Sequence, residues 1–233
     1  ALGADVIEFH SIQIEPSADF APLDNAIRNA ADFHHVVFTS VNGVESFFSR
    51  TRDLGLDIRD LKGPRIWAIG PATRDALVDR GIVVEKLPME FFAKALGEAM
   101  GQAVSGQTVL LPRADIAPPV LREDLEAAGA TVTEVTAYRT VLDETMPEAA
   151  AQAIESGAVD YLTFTSSSTV RNFLEKCKGL DLDALKKNAR VISIGPVTSK
   201  TAREFGLEVH AEAGEFTIPG LVDALVEFHT KEK

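Results

Sequence analysis

Cysteine occurs once in this chain of 233 residues, at Cys177; tryptophan also occurs once, tyrosine twice and methionine three times. One thiol excludes an intrachain disulfide, and the helical setting of Cys177 offers nothing to depress its pKa toward a catalytic thiolate. Basic residues are in deficit. The 23 Lys and Arg against 35 Asp and Glu leave a formal charge of −12, and neither cation forms a run. That balance argues against nucleic acid and anionic membrane surfaces as partners. No apolar stretch approaches the ~20 residues of a membrane-spanning helix. With no signal-like segment either, the expected location is the cytoplasm. His10, His34, His35, His210 and His229 lack metal-ligand spacing, and the His34-His35 pair reads as a loop or strand edge. Walker and dinucleotide fingerprints are missing, as is a Gly-x-Ser-x-Gly elbow. Any catalysis is therefore expected to proceed without metal, cofactor or catalytic triad.

What the chain does contain is a copy of itself. VVFTSVNGVESFF, Val36 to Phe48, returns 126 residues later as LTFTSSSTVRNFL, Leu162 to Leu174. Each copy runs from an apolar β-type stretch through Thr-Ser into a segment with apolar residues at helical spacing. RIWAIGPATRDAL, Arg65 to Leu77, is echoed by RVISIGPVTSKTA, Arg190 to Ala202, at an offset of 125. GADVIEFHSI, from Gly3, answers GATVTEVTAY, from Gly129, and Glu90-Phe91 reappears as Glu215-Phe216. A period this long exceeds the roughly 20 to 50 residues of solenoid units and implies two similar lobes.

Five strands are expected in the middle of the chain, at Val36–Thr39, Arg65–Ile69, Val83–Leu87, Thr108–Pro112 and Thr131–Thr136. Three follow, at Tyr161–Thr165, Val191–Ile194 and Glu208–Ala211, and an opening strand Val6–Phe9 would extend that set. Strict β/α alternation predicts parallel sheets covered on both faces. The economical arrangement is an α/β middle lobe, 18–137, inserted in a terminal lobe made of 1–14 and 143–233, with linkers 12–17 and 138–143 able to pair antiparallel. The repeat also indicates that the terminal lobe lacks its first strand, which fits a chain cut from a larger fusion protein.

Open parallel sheets bind ligands beyond the carboxyl ends of their strands. That edge carries Thr39, Ser40, Asn42, Gly70 and Thr73 in one lobe and Ser166, Ser168, Gly195 and Thr198 in the other. Hydroxyls and free N–H groups at helix N-termini suit anionic groups, and duplicated neutral donors describe a cleft for a polyanion. Two readings stand for Arg113, directly after a strand: a charge-assisted bond to a carboxylate, or a solvated loop arginine. Two also stand for Tyr138, which ends a strand at the lobe crossing: a proton or hydrogen-bond donor, or an aromatic packed on the linker.

In order, VIEFHSIQIEP, FTSVNGVESFF, AIGPAT, LPRAD, GATVTEVTAYRT, FTSSST and SIGPVT resemble the uroporphyrinogen-III synthase family over essentially the whole chain. The resemblance implies two flavodoxin-like or Rossmann-like lobes joined by a two-stranded antiparallel ladder, and a cofactor-free, metal-free lyase. Its substrate would be the linear tetrapyrrole hydroxymethylbilane, closed with inversion of the last ring to uroporphyrinogen III and release of water. The family's V-x-x-Y-x-T tyrosine falls on Tyr138, implied to assist departure of the substrate hydroxyl. The Gly-x-x-Thr threonines fall on Thr73 and Thr198, and the Thr-Ser hydroxyls on Thr39, Ser40, Ser166 and Ser168. A monomer is expected. The rival reading is a two-lobed small-molecule binding protein of periplasmic type, without catalysis.

Overall fold

The computed structural model describes residues 3–85 and 93–232. In chain order the elements are β1 (Ile12–Pro16), α1 (Ala21–Arg28), β2 (His35–Phe38), α2 (Val41–Asp53), β3 (Arg65–Ala68), α3 (Pro71–Val78), α4 (Ala93–Met100), β4 (Thr108–Ala114), α5 (Val120–Ala127) and β5 (Thr131–Leu142). They continue as α6 (Glu148–Ser156), β6 (Tyr161–Phe164), α7 (Ser167–Lys176), α8 (Asp183–Asn188), β7 (Arg190–Ser193), α9 (Pro196–Glu204), β8 (Val209–Glu212) and α10 (Ile218–Glu232). The chain divides into two compact units, Ile14–Val141 and Ala1–Gln13 with Leu142–Lys233.

The first sheet has the order β1-β5-β4-β2-β3, with parallel pairing between β2 and β3, β2 and β4, and β4 and β5. All four residues of β2 are buried, as expected of a central strand covered on both faces. Helix α2 buries Val44, Phe47, Phe48 and Thr51, the spacing of one helical face. Phe38 and Phe47 meet edge to face at 5.4 Å. Arg50 of α2 holds Asp24 of α1 through two hydrogen bonds of 2.6 and 2.7 Å and lies over the Phe20 ring.

The second sheet, β6-β7-β8, is parallel throughout. Its core sets Phe173 of α7 between Phe164 and Phe9, at 5.6 and 5.1 Å. Phe173 is the counterpart of Phe47, so the repeat places the same ring on the same face of two helices. Lys176 adds a polar clamp in this unit. Its side chain is 2% exposed, and Nζ donates to the His10 carbonyl at 2.6 Å and to Asp143 at 3.2 Å while resting on the Phe9 ring.

Three expectations change. Val6–Phe9 joins no ladder: Val6 and Ile7 are 79% and 49% exposed, and only Phe9 packs inward. Its counterpart β5 pairs with β4, whereas no described strand stands in the β4 position of the terminal unit. Val83–Glu85 is not a strand either, though the Glu85 N–H reaches the Ile66 carbonyl at 2.8 Å, and residues 86 and 87 lie outside the described residues, as do Glu90 and Phe91. His35 is no edge residue: it opens central β2 and is 1% exposed. Trp67 Nε1–H donates to its Nδ1 at 2.9 Å, so the other nitrogen carries the proton and donates to Gln107 Oε1 at 2.9 Å. Burial pushes the His35 pKa below its ordinary value.

Candidate functional site

At the carboxyl end of β2 the chain passes Thr39, half-buried, into Ser40, which caps α2. Ser40 Oγ accepts the Gly43 N–H at 2.9 Å, satisfying one of the donors that every helix start leaves free. The same Oγ lies 3.0 Å from the hydroxyl of Tyr138. Gly43 makes this approach possible. A Cβ there would lie 3.2 Å from Ser40 Oγ and 3.3 Å from the Pro112 carbonyl, so a larger residue would require α2 and β4 to give by a few tenths of an ångström.

Tyr138 reaches Ser40 because β5 is irregular. Opposite β5, Arg113 pairs with Thr136 and Ala114 with Tyr138, leaving Ala137 as an extra residue. Alternation alone would send Ala137 and Tyr138 to opposite faces, whereas both pack in the core of Phe38 and Phe47. The bulge re-aims the phenol. Tyr138 is only 6% exposed, so it is held as firmly as a core residue.

Arg113 is neither a loop residue nor solvated. It lies inside β4, 5% exposed, on the face of Val109 and Leu111 rather than that of Leu110. Its Nη1 is 3.6 Å from Glu134, while Nε and Nη1 are buried without a hydrogen-bond partner. Burial lowers its pKa, against the pull of the Glu134 charge. Asn42, in the first turn of α2, is exposed.

Thr73 and Thr198 occupy the first turns of α3 and α9, whose caps, Gly70 and Gly195, supply no side-chain hydrogen bond. Both threonines are 4% exposed, and among the described residues neither hydroxyl has a hydrogen-bond partner. In the terminal unit, Ser166 caps α7 in a reciprocal box with Thr169, its Oγ accepting the Thr169 N–H at 3.1 Å. Ser168 Oγ is 2.8 Å from Ser166 Oγ, and Ser167 donates to the Val197 carbonyl, tying α7 to the start of α9.

Sequence reasoning missed Ser193, Ser199 and Glu212. Ser193 and Ser199 are fully buried with their Oγ atoms 2.6 Å apart, and Ser199 donates to the Glu212 carboxylate. Ser193 and Glu212 end adjacent strands, a pairing visible only once the register of β7 and β8 is known. A groove of about 400 Å³ lies between α1 and β5, lined by Pro22, Asn25, Asn29, Thr133 and Glu134, and shares no residue with the Ser40–Tyr138 pair. Cys177 is buried and its thiol is pushed up to about 11, so it is no nucleophile. Among the described residues no cluster of three His, Cys, Asp or Glu is placed to hold a metal, and no helix is long and apolar enough to cross a membrane.

The profile described as uroporphyrinogen-III synthase HemD matches residues 1–223. The chain belongs to the uroporphyrinogen-III synthase family. It is 34% identical to the uroporphyrinogen-III synthase of Synechococcus elongatus over 232 residues, 98% of this chain and 88% of that protein. It is 28% identical to the porphyrin biosynthesis protein HemD of Ruminiclostridium josui over 97% of this chain but 44% of that protein. The crystal structure of uroporphyrinogen-III synthetase from Helicobacter pylori is similar in fold, with a TM-score of 0.64 at 20% identity over 93% of this chain and 90% of that one. A Thermus thermophilus uroporphyrinogen III synthase mutant gives 0.63 at 20% identity over 95% and 88%. Parallel sheets in two lobes are thus the family's fold, and a binding protein without catalysis finds no support in these relatives.

Proposed function

We propose that this synthase-family chain closes hydroxymethylbilane to uroporphyrinogen III, and that the Ser40–Tyr138 pair is its chemical centre. The observation that carries the assignment is the 3.0 Å contact between the two hydroxyls at the start of α2, made by a bulged strand. In the reaction the C–O bond of the substrate's hydroxymethyl group breaks. The oxygen leaves as water when the phenol of Tyr138 donates its proton, and the electron-rich pyrrole is left as an azafulvenium cation. Ser40, already hydrogen-bonded to the Gly43 N–H, steadies the phenol during that transfer. The cation needs little further chemical help, so the protein's larger task is to present the substituted carbon of the last ring for attack.

Thr73 and Thr198, with unengaged hydroxyls beside uncapped helix starts, suit carboxylate arms of the substrate, as do Thr39, Asn42, Ser166 and Ser168. Arg113 acts from within β4 as a buried charge rather than as a direct ligand. Catalysis of this kind uses neither metal nor cofactor, and activity should survive dialysis against a chelator. The enzyme works as a cytoplasmic monomer in this reading. Incubation with hydroxymethylbilane, followed by oxidation and chromatographic separation of the isomers, tests the assignment. Type III product is expected, whereas type I alone, the product of unassisted closure, would refute it.

A further inference from the structure

Phe216 is an aromatic residue that the fold holds in place and leaves uncovered. Its side chain is 66% exposed, yet its backbone is fixed between β8 and α10. Thr217 Oγ1 accepts the Gly220 N–H at 3.1 Å, and the Thr217 carbonyl accepts the Leu221 N–H at 2.9 Å, a capped start to α10. Gly220 itself admits no side chain, since a Cβ there would fall 2.2 Å from the Glu215 carbonyl oxygen. The turn presenting Phe216 is therefore locked from both sides.

The ring lies over the turn that opens α9. A Cβ on Gly195 would meet Phe216 at 3.0, 3.3 and 3.4 Å, so the absence of a side chain at 195 lets the ring settle there. Gly195 has extended backbone, which any residue adopts, so conformation is not what requires glycine at this position. Three residues on, Thr198 is 4% exposed with no hydrogen-bond partner among the described residues. Val197, two residues past Gly195, and Ile218, two past Phe216, are 72% and 56% exposed. Apolar surface thus adjoins an unengaged hydroxyl and an uncapped helix start at the carboxyl end of β7. The sequence pairs the same residues twice, Gly70 with Phe91 and Gly195 with Phe216, each 21 positions apart.

A pyrrole bearing acetate and propionate arms has the complementary chemistry, a flat electron-rich ring edged by carboxylates. We infer that Phe216 is a stacking platform for one pyrrole ring of the substrate, with the Gly195 turn and Thr198 receiving that ring's carboxylate. The inference rests on the functional reading above and adds to it a residue that selects flat substituted rings. Aromatic pairs prefer offset or edge-to-face contact and gain beyond the area they bury.

Steady-state kinetics with hydroxymethylbilane on the full chain, alongside melting curves, tests it. Phe216→Ala should raise KM about three- to tenfold with kcat held, the mark of binding shared by ground and transition states. Its melting temperature should not move, because the side chain packs against little else. Phe216→Tyr should restore the wild-type KM, while Phe216→Leu, apolar but without a ring face, should share the loss. Gly195→Ala should raise KM in the same direction by displacing the ring. An unchanged KM in Phe216→Ala, or wild-type behaviour of Phe216→Leu, overturns the platform while leaving the enzyme assignment intact. Wild-type protein that makes no type III isomer overturns both.

Discussion

Ser40 and Ser166 hold equivalent places in the two copies of the repeat, and each caps its helix through the N–H three residues on. Their second contacts differ. Ser40 meets the phenol of Tyr138, 98 residues away, whereas Ser166 meets Ser168 and Thr169, its own neighbours. The duplicated module supplied the same Thr-Ser turn twice, and among the described residues only the middle unit brings a tyrosine hydroxyl to it from a distant strand. One copy thus has a phenol at its turn, and the other has the hydroxyls of its own neighbours. Duplication gives the Thr-Ser turn twice, and a single bulge distinguishes what the two turns meet.

The largest effect that would break this comparison is on rate. Tyr138→Phe should slow turnover by about 10²- to 10⁴-fold, the range for one general acid, and still give mainly type III product. Isomer analysis with stopped-time assays reads both. Full activity with unchanged stability would reduce Tyr138 to packing and place the two Thr-Ser turns on an equal footing.

The paired rings Phe47 and Phe173 sharpen the comparison on the stability side. Phe47→Ala should cost about 3 to 5 kcal/mol in chemical denaturation. Phe173→Ala should cost less within that range, because Phe47 is fully buried against Phe38 and Phe48 while Phe173 is 4% exposed and one of its two ring partners, Phe9, lies in a segment that joins no ladder. A larger loss at Phe173 would show that the terminal core is the tighter of the two.

Acid should separate the units next. Because the folded pKa of His35 lies below 6.5, the unfolded chain takes up its proton first, so this histidine withdraws stability from the middle unit as pH falls below about 6.5. Asp143 behaves otherwise. Hydrogen bonds from Thr145, and then Lys176, lower its pKa to about 2, so its contribution to the terminal unit is complete above about 4 and is lost as pH falls toward 2. Trp67 fluorescence, whose indole binds His35 directly, should begin to change in the higher range, and His35→Gln should flatten it there.

The smallest expected effects are at the duplicated threonines. Thr73→Ala and Thr198→Ala should each weaken substrate binding by about 0.5 to 1.5 kcal/mol. Among the described residues neither hydroxyl bonds to protein, so any fall in melting temperature should reflect only the buried methyl group that each substitution removes. Unequal losses, measured as KM ratios, would show which copy of the turn the substrate favours.

The alternation of strands and helices and the two serine caps were legible because they depend on residues close in sequence: apolar runs, Thr-Ser at their ends and helical spacing beyond. The aim of Tyr138 was not, because it depends on a register shift between Arg113 and Ala114 that no local pattern announces. Arg113 illustrates the same limit: one residue past an expected strand end reads as a loop, while two further residues of pairing bury it. The Lys176 clamp joins residues 166 and 33 positions apart, and the Ser193–Ser199–Glu212 chain requires knowing that β8 lies beside β7. The absent ladder at Val6–Phe9 follows from which neighbour a strand has, a property its own residues do not encode.

Cys177, inert in the folded protein, has a practical consequence. Its thiol is buried in the core of the terminal unit and stays protonated near neutral pH, so an alkylating reagent can modify it only when that core opens. Brief labelling pulses during denaturation, with mass detection, would time the opening of the terminal core alone. Because the chain has no other cysteine, every labelled molecule reports the same event. The native protein is also a silent background on which a cysteine introduced at any exposed position can carry a probe.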